Sequence, residues 1–194
     1  MSDLTDPKTV LHHYLQEARD GLLWKLDGLD EHALRLPRTP TGTNLLGIVK
    51  HALNVEVGYF GATFGRQWPT PAEIVPMAAY DADPQADWYA TEDETAAGLV
   101  DLYRRVWSFA DETIESLPLD AHGRVSWWRE GRQDVTLQRI VVHVTSDLAQ
   151  HAGHADILRE QVDGLAGWHP ENTNIPELDW APYVAKLTRL AERS

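Results

Sequence analysis

The chain has 194 residues, which suits one domain with a sizeable core, and 43% of them are hydrophobic, as in ordinary globular proteins. Its net charge of −13 argues against a nucleic-acid partner, because neutralising phosphates requires a basic surface. There is no cysteine, which excludes disulfides, thiolate metal ligands and cysteine nucleophiles and leaves histidines and carboxylates as possible ligands.

Four long segments and one short segment show the spacing of apolar residues that is typical of amphipathic helices. We predict helices at residues 7–28, 44–64, 91–116, 136–162 and 179–191. Asp6 and Thr43 are the predicted caps of the first two helices, and Thr91 with Glu94 forms a capping-box pattern at the third. No apolar run reaches the ~18 residues of a membrane span, and the polar N-terminus is unlike a signal peptide, so we expect a cytoplasmic protein.

The connections between these helices are long. Residues 66–90, "RQWPTPAEIVPMAAYDADPQADWYA", contain four prolines and no clear periodicity. A segment of this kind inside a compact domain often covers a site or an interface. Long helices with long connections predict an all-α fold, namely a four-helix bundle with crossover loops and a short C-terminal helix, in a single domain over residues 1–194.

The fourth predicted helix carries polar residues on the face that its periodicity predicts to be buried. Four of them are spaced four, four and three positions apart: His143, Asp147, His151 and His154. At about 100° per residue they share a stripe roughly 80° wide with Ile140 and Leu158. Burying an acid among imidazoles is costly unless something pairs with them.

A metal ion is one partner that would satisfy this stripe. Asp147 and His151 lie one helical turn apart, and His51 borders the apolar face of the second predicted helix, from which it could reach across the bundle. Three ligands with an open position are typical of a catalytic metal site. The alternatives are a simple Asp–His hydrogen bond on one helix and core histidines bonded to backbone carbonyls. His143 and His154 flank the pair and could orient the ligands or a bound water.

Other classes of catalytic site find no support in the sequence. There is no G-x-G-x-x-G turn, no Walker loop and no G-x-S-x-G elbow. A Ser–His–Asp arrangement would need Ser146, which lies about 100° from Asp147 around the helix.

Two blocks of sequence resemble a known family. "LDGLDEHALRLPRTPTGTNLLGIVKHALNVEVGYFGATFGR" and "TLQRIVVHVTSDLAQHAGHADILREQVDG" are similar to the two signature blocks of the DinB-like superfamily. More narrowly, they resemble the branch, formerly a domain of unknown function, that is related to mycothiol S-transferases and mycothiol-dependent maleylpyruvate isomerase. The resemblance covers most of the chain.

The resemblance implies a bundle in an up-down-down-up arrangement and a divalent metal, Zn²⁺ or Ni²⁺ or Fe²⁺, held by His51, Asp147 and His151. Asp147 departs from the family, in which this position is His or Glu, but it keeps a carboxylate. The implied function is a metal-dependent thiol S-transferase in detoxification or stress response. Its substrates would be a low-molecular-weight thiol such as mycothiol and a small-molecule electrophile. The resemblance also implies a homodimer.

Further residues receive roles within this hypothesis. His154 or His143 would shuttle a proton. The mouth of the site, where the thiol binds, would be lined by residues of the loop before the fourth helix: Trp127, Trp128 and Arg129. Two other functions remain open, a metal-dependent hydrolase on the same scaffold and a non-enzymatic metal-binding stress protein.

Overall fold

The computed structural model describes residues 5–173 and 175–193, and in these ranges four long helices dominate the structure. The helices are α1 (Pro7–Leu23), α2 (Glu31–Arg35), α3 (Leu45–Phe60), α4 (Ala79–Ala82), α5 (Ala96–Ser116), α6 (Leu137–Asp163) and α7 (Trp180–Ala191). Single 3₁₀ turns occur at Trp24–Leu26, Ala62–Phe64 and Pro71–Glu73. Two short antiparallel strands precede α6, β1 (His122–Arg124) and β2 (Asp134–Thr136), with His122 opposite Thr136.

Polar caps and a glycine define the ends of α1 and α6. Asp6 accepts a hydrogen bond of 2.8 Å from the backbone N–H of Thr9, and Thr136 accepts one of 3.3 Å from that of Arg139. Gly164 ends α6 at a φ of 79°, a left-handed conformation that glycine adopts without strain. The predicted starts of α1 and α6 and the predicted end of α6 are therefore confirmed.

One predicted helix cap and one predicted helix start are wrong. Asn44, not Thr43, caps α3, because its Oδ1 accepts a hydrogen bond of 2.7 Å from the backbone N–H of Gly47. Thr95 caps α5, and the Thr91–Glu94 pattern lies in the turn before it, where Glu94 accepts a hydrogen bond from the N–H of Thr91. A capping pattern therefore formed locally without starting a helix.

The four long helices pack around one hydrophobic core, which confirms the predicted bundle. α1 packs against α6, and α3 packs against both α5 and α6. All four contribute fully buried side chains to the core, including Leu15, Leu22, Ile48, Phe60, Val106, Ile140 and Val144. The short helices α2 and α4 and the β1–β2 hairpin were not predicted.

The C-terminal helix α7 contributes nothing to this core. It begins after Asp179, as predicted, but each of its residues is exposed. Within residues 5–173 and 175–193, no helix combines the length and the apolar character that crossing a membrane requires.

A charged network lies inside the core, between α1, α3 and α5. Arg19 and Glu56 are both fully buried, and the guanidinium donates to both carboxylate oxygens, with a shortest distance of 2.6 Å from Nη2 to Oε2. Tyr103 donates its hydroxyl proton to Oε1 of Glu56 at 2.8 Å, and Arg19 Nη1 donates to Asp111 at 2.8 Å. The network ties three helices together through one carboxylate.

Candidate metal centre and adjoining cavity

The three predicted metal ligands meet between α3 and α6. His51 lies on α3, and Asp147 and His151 lie one turn apart on α6; one donor atom from each residue falls within 4.8 Å of the other two. Oδ2 of Asp147 is 3.5 Å from Nε2 of His151, and the rings of His51 and His151 meet edge to face with centroids 5.0 Å apart. Although aspartate is shorter than glutamate, its carboxylate reaches the common point.

The polar atoms at this point fit a divalent ion. Among the residues described, Oδ2 of Asp147 is a buried side-chain atom without a hydrogen-bond partner, and it faces Nε2 of His151. Such buried unpaired groups cost free energy, about 1–3 kcal/mol each, so a structure rarely keeps them without a reason. A carboxylate oxygen and imidazole nitrogens are ligands that Zn²⁺, Ni²⁺ and Fe²⁺ accept alike.

His151 is in the protonation state that a ligand needs. Burial lowers the pKa of His151, and this effect outweighs the attraction of the neighbouring Asp147 carboxylate, which would raise it. The imidazole therefore stays neutral at neutral pH and keeps a lone pair for an ion.

His51 is oriented by a residue that the sequence analysis missed. Its Nδ1–H donates a hydrogen bond of 2.8 Å to Oδ2 of the buried Asp87, so Nε2 carries the lone pair. The indole of Trp88 stacks on the same ring, with centroids 4.0 Å apart and an interplanar angle of 19°. A carboxylate behind a ligating histidine is the usual way in which proteins fix its tautomer and orientation.

Asp87 and Trp88 reach the site because their backbone lies directly against α3. A Cβ atom on Gly47 would stand only 1.9 Å from the carbonyl oxygen of Trp88, so a residue without a side chain is needed at this position. Asn44 Nδ2 donates to the same oxygen at 3.3 Å. The only sequence signal was an acid and an aromatic residue within a segment expected to cover a site.

Replacing Asp87 with asparagine should weaken metal binding about 10–100-fold, because the amide keeps the shape of the carboxylate but loses its charge. Competition for Zn²⁺ with a chromophoric chelator measures the affinity. Asp81→Asn makes the same charge change at an exposed position of the same segment and should leave the affinity unchanged. Equal affinities of Asp87→Asn and the wild type would show that Asp87 does not support the ligand.

A cavity of about 690 Å³ is bordered by two of the three ligands, His51 and Asp147, whereas His151 lies outside its lining. One wall is the face of α3 that carries His51, and another wall belongs to residues 66–90, so this segment covers the cavity beside the candidate metal centre. The segment is anchored where the backbone N–H of Val75 donates to Oδ1 of Asn54 at 2.8 Å. A second anchor is Glu73, which accepts from Trp68 Nε1 at 3.1 Å and pairs with Arg105 at 2.9 Å.

The two flanking histidines occupy different places. His143 is exposed and borders the cavity, and its Nε2 lies 3.1 Å from the hydroxyl of Tyr59. His154 is exposed beside His151, with ring centroids 5.9 Å apart, and lies outside the cavity lining. Neither is the buried core histidine that was the alternative interpretation.

Of the three residues predicted to line the mouth of the site, only Trp127 borders the cavity. Trp127 borders the cavity and its ring would lie 3.3 Å from a Cβ on Gly58. Trp128 donates its Nε1–H to the hydroxyl of Tyr59 at 2.9 Å. Arg129 is exposed and lies outside the cavity lining.

The fold and the site define a DinB-like helical bundle with a candidate metal centre between two of its helices. Residues 10–164 match the model of the mycothiol-S-transferase family. Since this match spans most of the chain, the protein belongs to the mycothiol-S-transferase family.

A solved structure is similar in fold. The crystal structure of a conserved protein from Enterococcus faecalis is 14% identical in sequence, with a TM-score of 0.54 over 82% of this chain and 98% of that chain. At this identity the likeness supports the fold alone. No curated protein matches the chain.

Proposed function

We propose that this protein is a metal-dependent thiol S-transferase, which joins a low-molecular-weight thiol, mycothiol in keeping with its family, to an electrophilic small molecule in detoxification or stress response. The observation that carries the proposal is the convergence of His51, Asp147 and His151 beside a cavity, in a chain of the mycothiol-S-transferase family.

The three ligands would hold Zn²⁺, Ni²⁺ or Fe²⁺, with Asp87 and Trp88 fixing the ring of His51. When bound, a divalent ion favours the thiolate form of a thiol at neutral pH, which is the nucleophilic form. The walls of the cavity would hold the electrophile and exclude water.

Proton transfer is assigned to the histidines at the edge of the site. The Nε1–H of Trp128 can only donate, so the hydroxyl oxygen of Tyr59 accepts the hydrogen bond between these two residues. The hydroxyl proton of Tyr59 is then free to face Nε2 of His143. We propose that His143 accepts the proton of the thiol by way of the Tyr59 hydroxyl and releases it to solvent, or that the exposed His154 serves as the proton relay instead. The S–H bond breaks and an S–C bond forms. In a substitution the leaving group departs with its bonding electrons, and in an addition the proton ends on the adjacent carbon.

Trp127, Trp128 and Arg129 are proposed to bind the thiol at the mouth. Both indoles contact the ring of Tyr59, and Trp128 also contacts the ring of His143, which supports this assignment for the two indoles. For Arg129 the support is its exposed position in the same loop, from which a flexible side chain can reach a ligand.

Removing the metal should abolish thiol transfer. We expect the purified protein to contain about one divalent ion per chain by elemental analysis and to conjugate mycothiol to monochlorobimane. Dialysis against a chelator should reduce the rate to the uncatalysed level, and reloading with one ion should restore it. Equal rates before and after metal removal would contradict the mechanism, and turnover of esters without any thiol would favour the hydrolase instead.

A cytoplasmic location and a homodimeric state complete the proposal. The absence of cysteine from the sequence is compatible with a reducing compartment. Light scattering coupled to size-exclusion chromatography tests the dimer, for which a mass near twice 21.9 kDa is expected.

A further inference from the structure

The cavity beside the ligands is lined mainly by apolar groups. On α3, all of the half-buried residues border the cavity: His51, Asn54, Val55, Gly58 and Tyr59. Ala62, in the 3₁₀ turn beyond α3, continues this wall. At about 1.5 Å per residue the wall extends roughly 16 Å from His51 to Ala62, which is long enough for a ring system with substituents.

The opposite wall is also apolar and is already in place. Residues 66–90 present Pro71, Ile74, Val75, Pro76 and Met77 to the cavity. Because this segment is hydrogen-bonded to α3 at Val75 and at Asp87, and is paired with α5 through Glu73, the cavity does not have to form when a ligand arrives. Apolar walls favour apolar ligands. Because the walls are preformed, little ordering of the protein is required on binding.

The charged side chains that line the cavity already have partners or roles. Arg66 is the one guanidinium or ammonium group among the described residues that line it. Its Nη1 donates to the carbonyl oxygen of Phe109 at 2.7 Å and to Thr113, and its Nη2 pairs with Glu112 at 2.7 Å. The two acids of the lining, Asp87 and Asp147, serve His51 and the metal centre. No side chain of the lining therefore offers a free opposite charge to an ionic acceptor.

We propose that this cavity is the binding site for the electrophile and that it selects neutral, largely apolar electrophiles such as aryl and alkyl halides. The inference rests on the proposed function. The hydrophilic thiol then approaches at the edge of the cavity that His143 and Trp127 border. With an aryl chloride, the sulfur forms a bond to the ring carbon, chloride leaves with the electrons of the C–Cl bond, and the thiol proton passes to solvent.

Binding is tested without thiol, metal or turnover. N-phenyl-1-naphthylamine, a neutral dye that fluoresces in apolar surroundings, should bind the wild type. Val55→Phe fills the cavity from the α3 wall and should raise the Kd of the dye at least tenfold. Ala62→Phe, at an exposed position just beyond the end of α3, should have the same effect. Val184→Phe is the control: it makes the same Val→Phe substitution on α7, where the valine is 55% exposed, and should leave the Kd of the dye unchanged. Failure of the dye to bind the wild type, or equal binding to both cavity variants, would overturn the inference.

Specificity is tested with two electrophiles, 1-chloro-2,4-dinitrobenzene and the small polar iodoacetamide. The ratio of kcat/KM for the aryl chloride to that for iodoacetamide should fall at least tenfold in Val55→Phe and stay unchanged in Val184→Phe. If transfer occurs but the ratio is the same in both variants, the inference fails and the proposed function stands. If no electrophile reacts while the dye experiment succeeds, the proposed function fails and the apolar binding site stands.

Discussion

Replacing Glu56 with alanine is expected to lower the free energy of unfolding by about 3–5 kcal/mol, because it leaves the fully buried guanidinium of Arg19 without its main carboxylate. Burial by itself lowers the pKa of Arg19, but the charge and hydrogen bonds of Glu56 together with the charge of Asp111 outweigh it, so the pKa is raised and the guanidinium stays charged. Tyr103 loses its acceptor at the same time. Burial, reinforced by Glu56, raises the pKa of its phenol, so in the native protein Tyr103 remains a donor to that carboxylate.

Urea unfolding monitored by circular dichroism measures this loss. Since globular domains have a total stability of about 5–15 kcal/mol, the variant should unfold at much lower urea concentrations. Glu160→Ala, an exposed position on α6, is the matched control and should change stability by less than about 0.5 kcal/mol.

A second variant separates the pairing of the charges from their burial. Replacing the network by apolar residues, in the triple variant Arg19→Met, Glu56→Leu and Tyr103→Phe, should recover most of the stability, because no buried charge is then left unpaired. An alanine variant as stable as the wild type would show that water reaches Arg19 and that the network is not a dry core element.

The parts of the site that depend on local helical geometry could be predicted from the sequence. Asp147 and His151 are four residues apart on α6, so their proximity follows from the helix alone. The position of His51 required the additional expectation that two apolar faces pack together. The packing of α3 against α6 confirmed this expectation and brought the three donors within 4.8 Å.

The parts that depend on contacts between distant segments could not be predicted. Asp87 lies in a segment without periodicity, and it reaches His51 only because the backbone of Trp88 lies against Gly47. The partnership of Arg19 with Glu56 joins residues 37 positions apart, and each would normally be expected on a solvated face. The capping pattern at Thr91 was misleading because Glu94 also forms an ion pair with Lys50 on α3, at 2.8 Å. This contact favours the position of Glu94 in the turn that precedes α5.

Replacing His151 with alanine should abolish metal binding and thiol transfer together, because only His51 and Asp147 then remain as ligands. The clearest measurement is the rise in Tm on adding the metal. An ion at 100 times its Kd stabilises the native state by about 2.7 kcal/mol, which for a chain of this size corresponds to roughly 5–10 °C. This metal-induced rise should be lost in His151→Ala, whereas the Tm of the metal-free protein should change much less.

His154→Ala is the matched control, since it removes an exposed imidazole less than one turn further along α6. It should keep the full metal-induced rise in Tm, and its rate of transfer should fall only by the contribution of a proton relay, about 10²-fold or less. A metal-induced rise that persists in His151→Ala would show that the ion is bound elsewhere. A rise lost from both variants would place His154 among the ligands, which requires its imidazole to turn from solvent towards His151. The two histidines thus distinguish a centre built between α3 and α6 from one built along α6 alone.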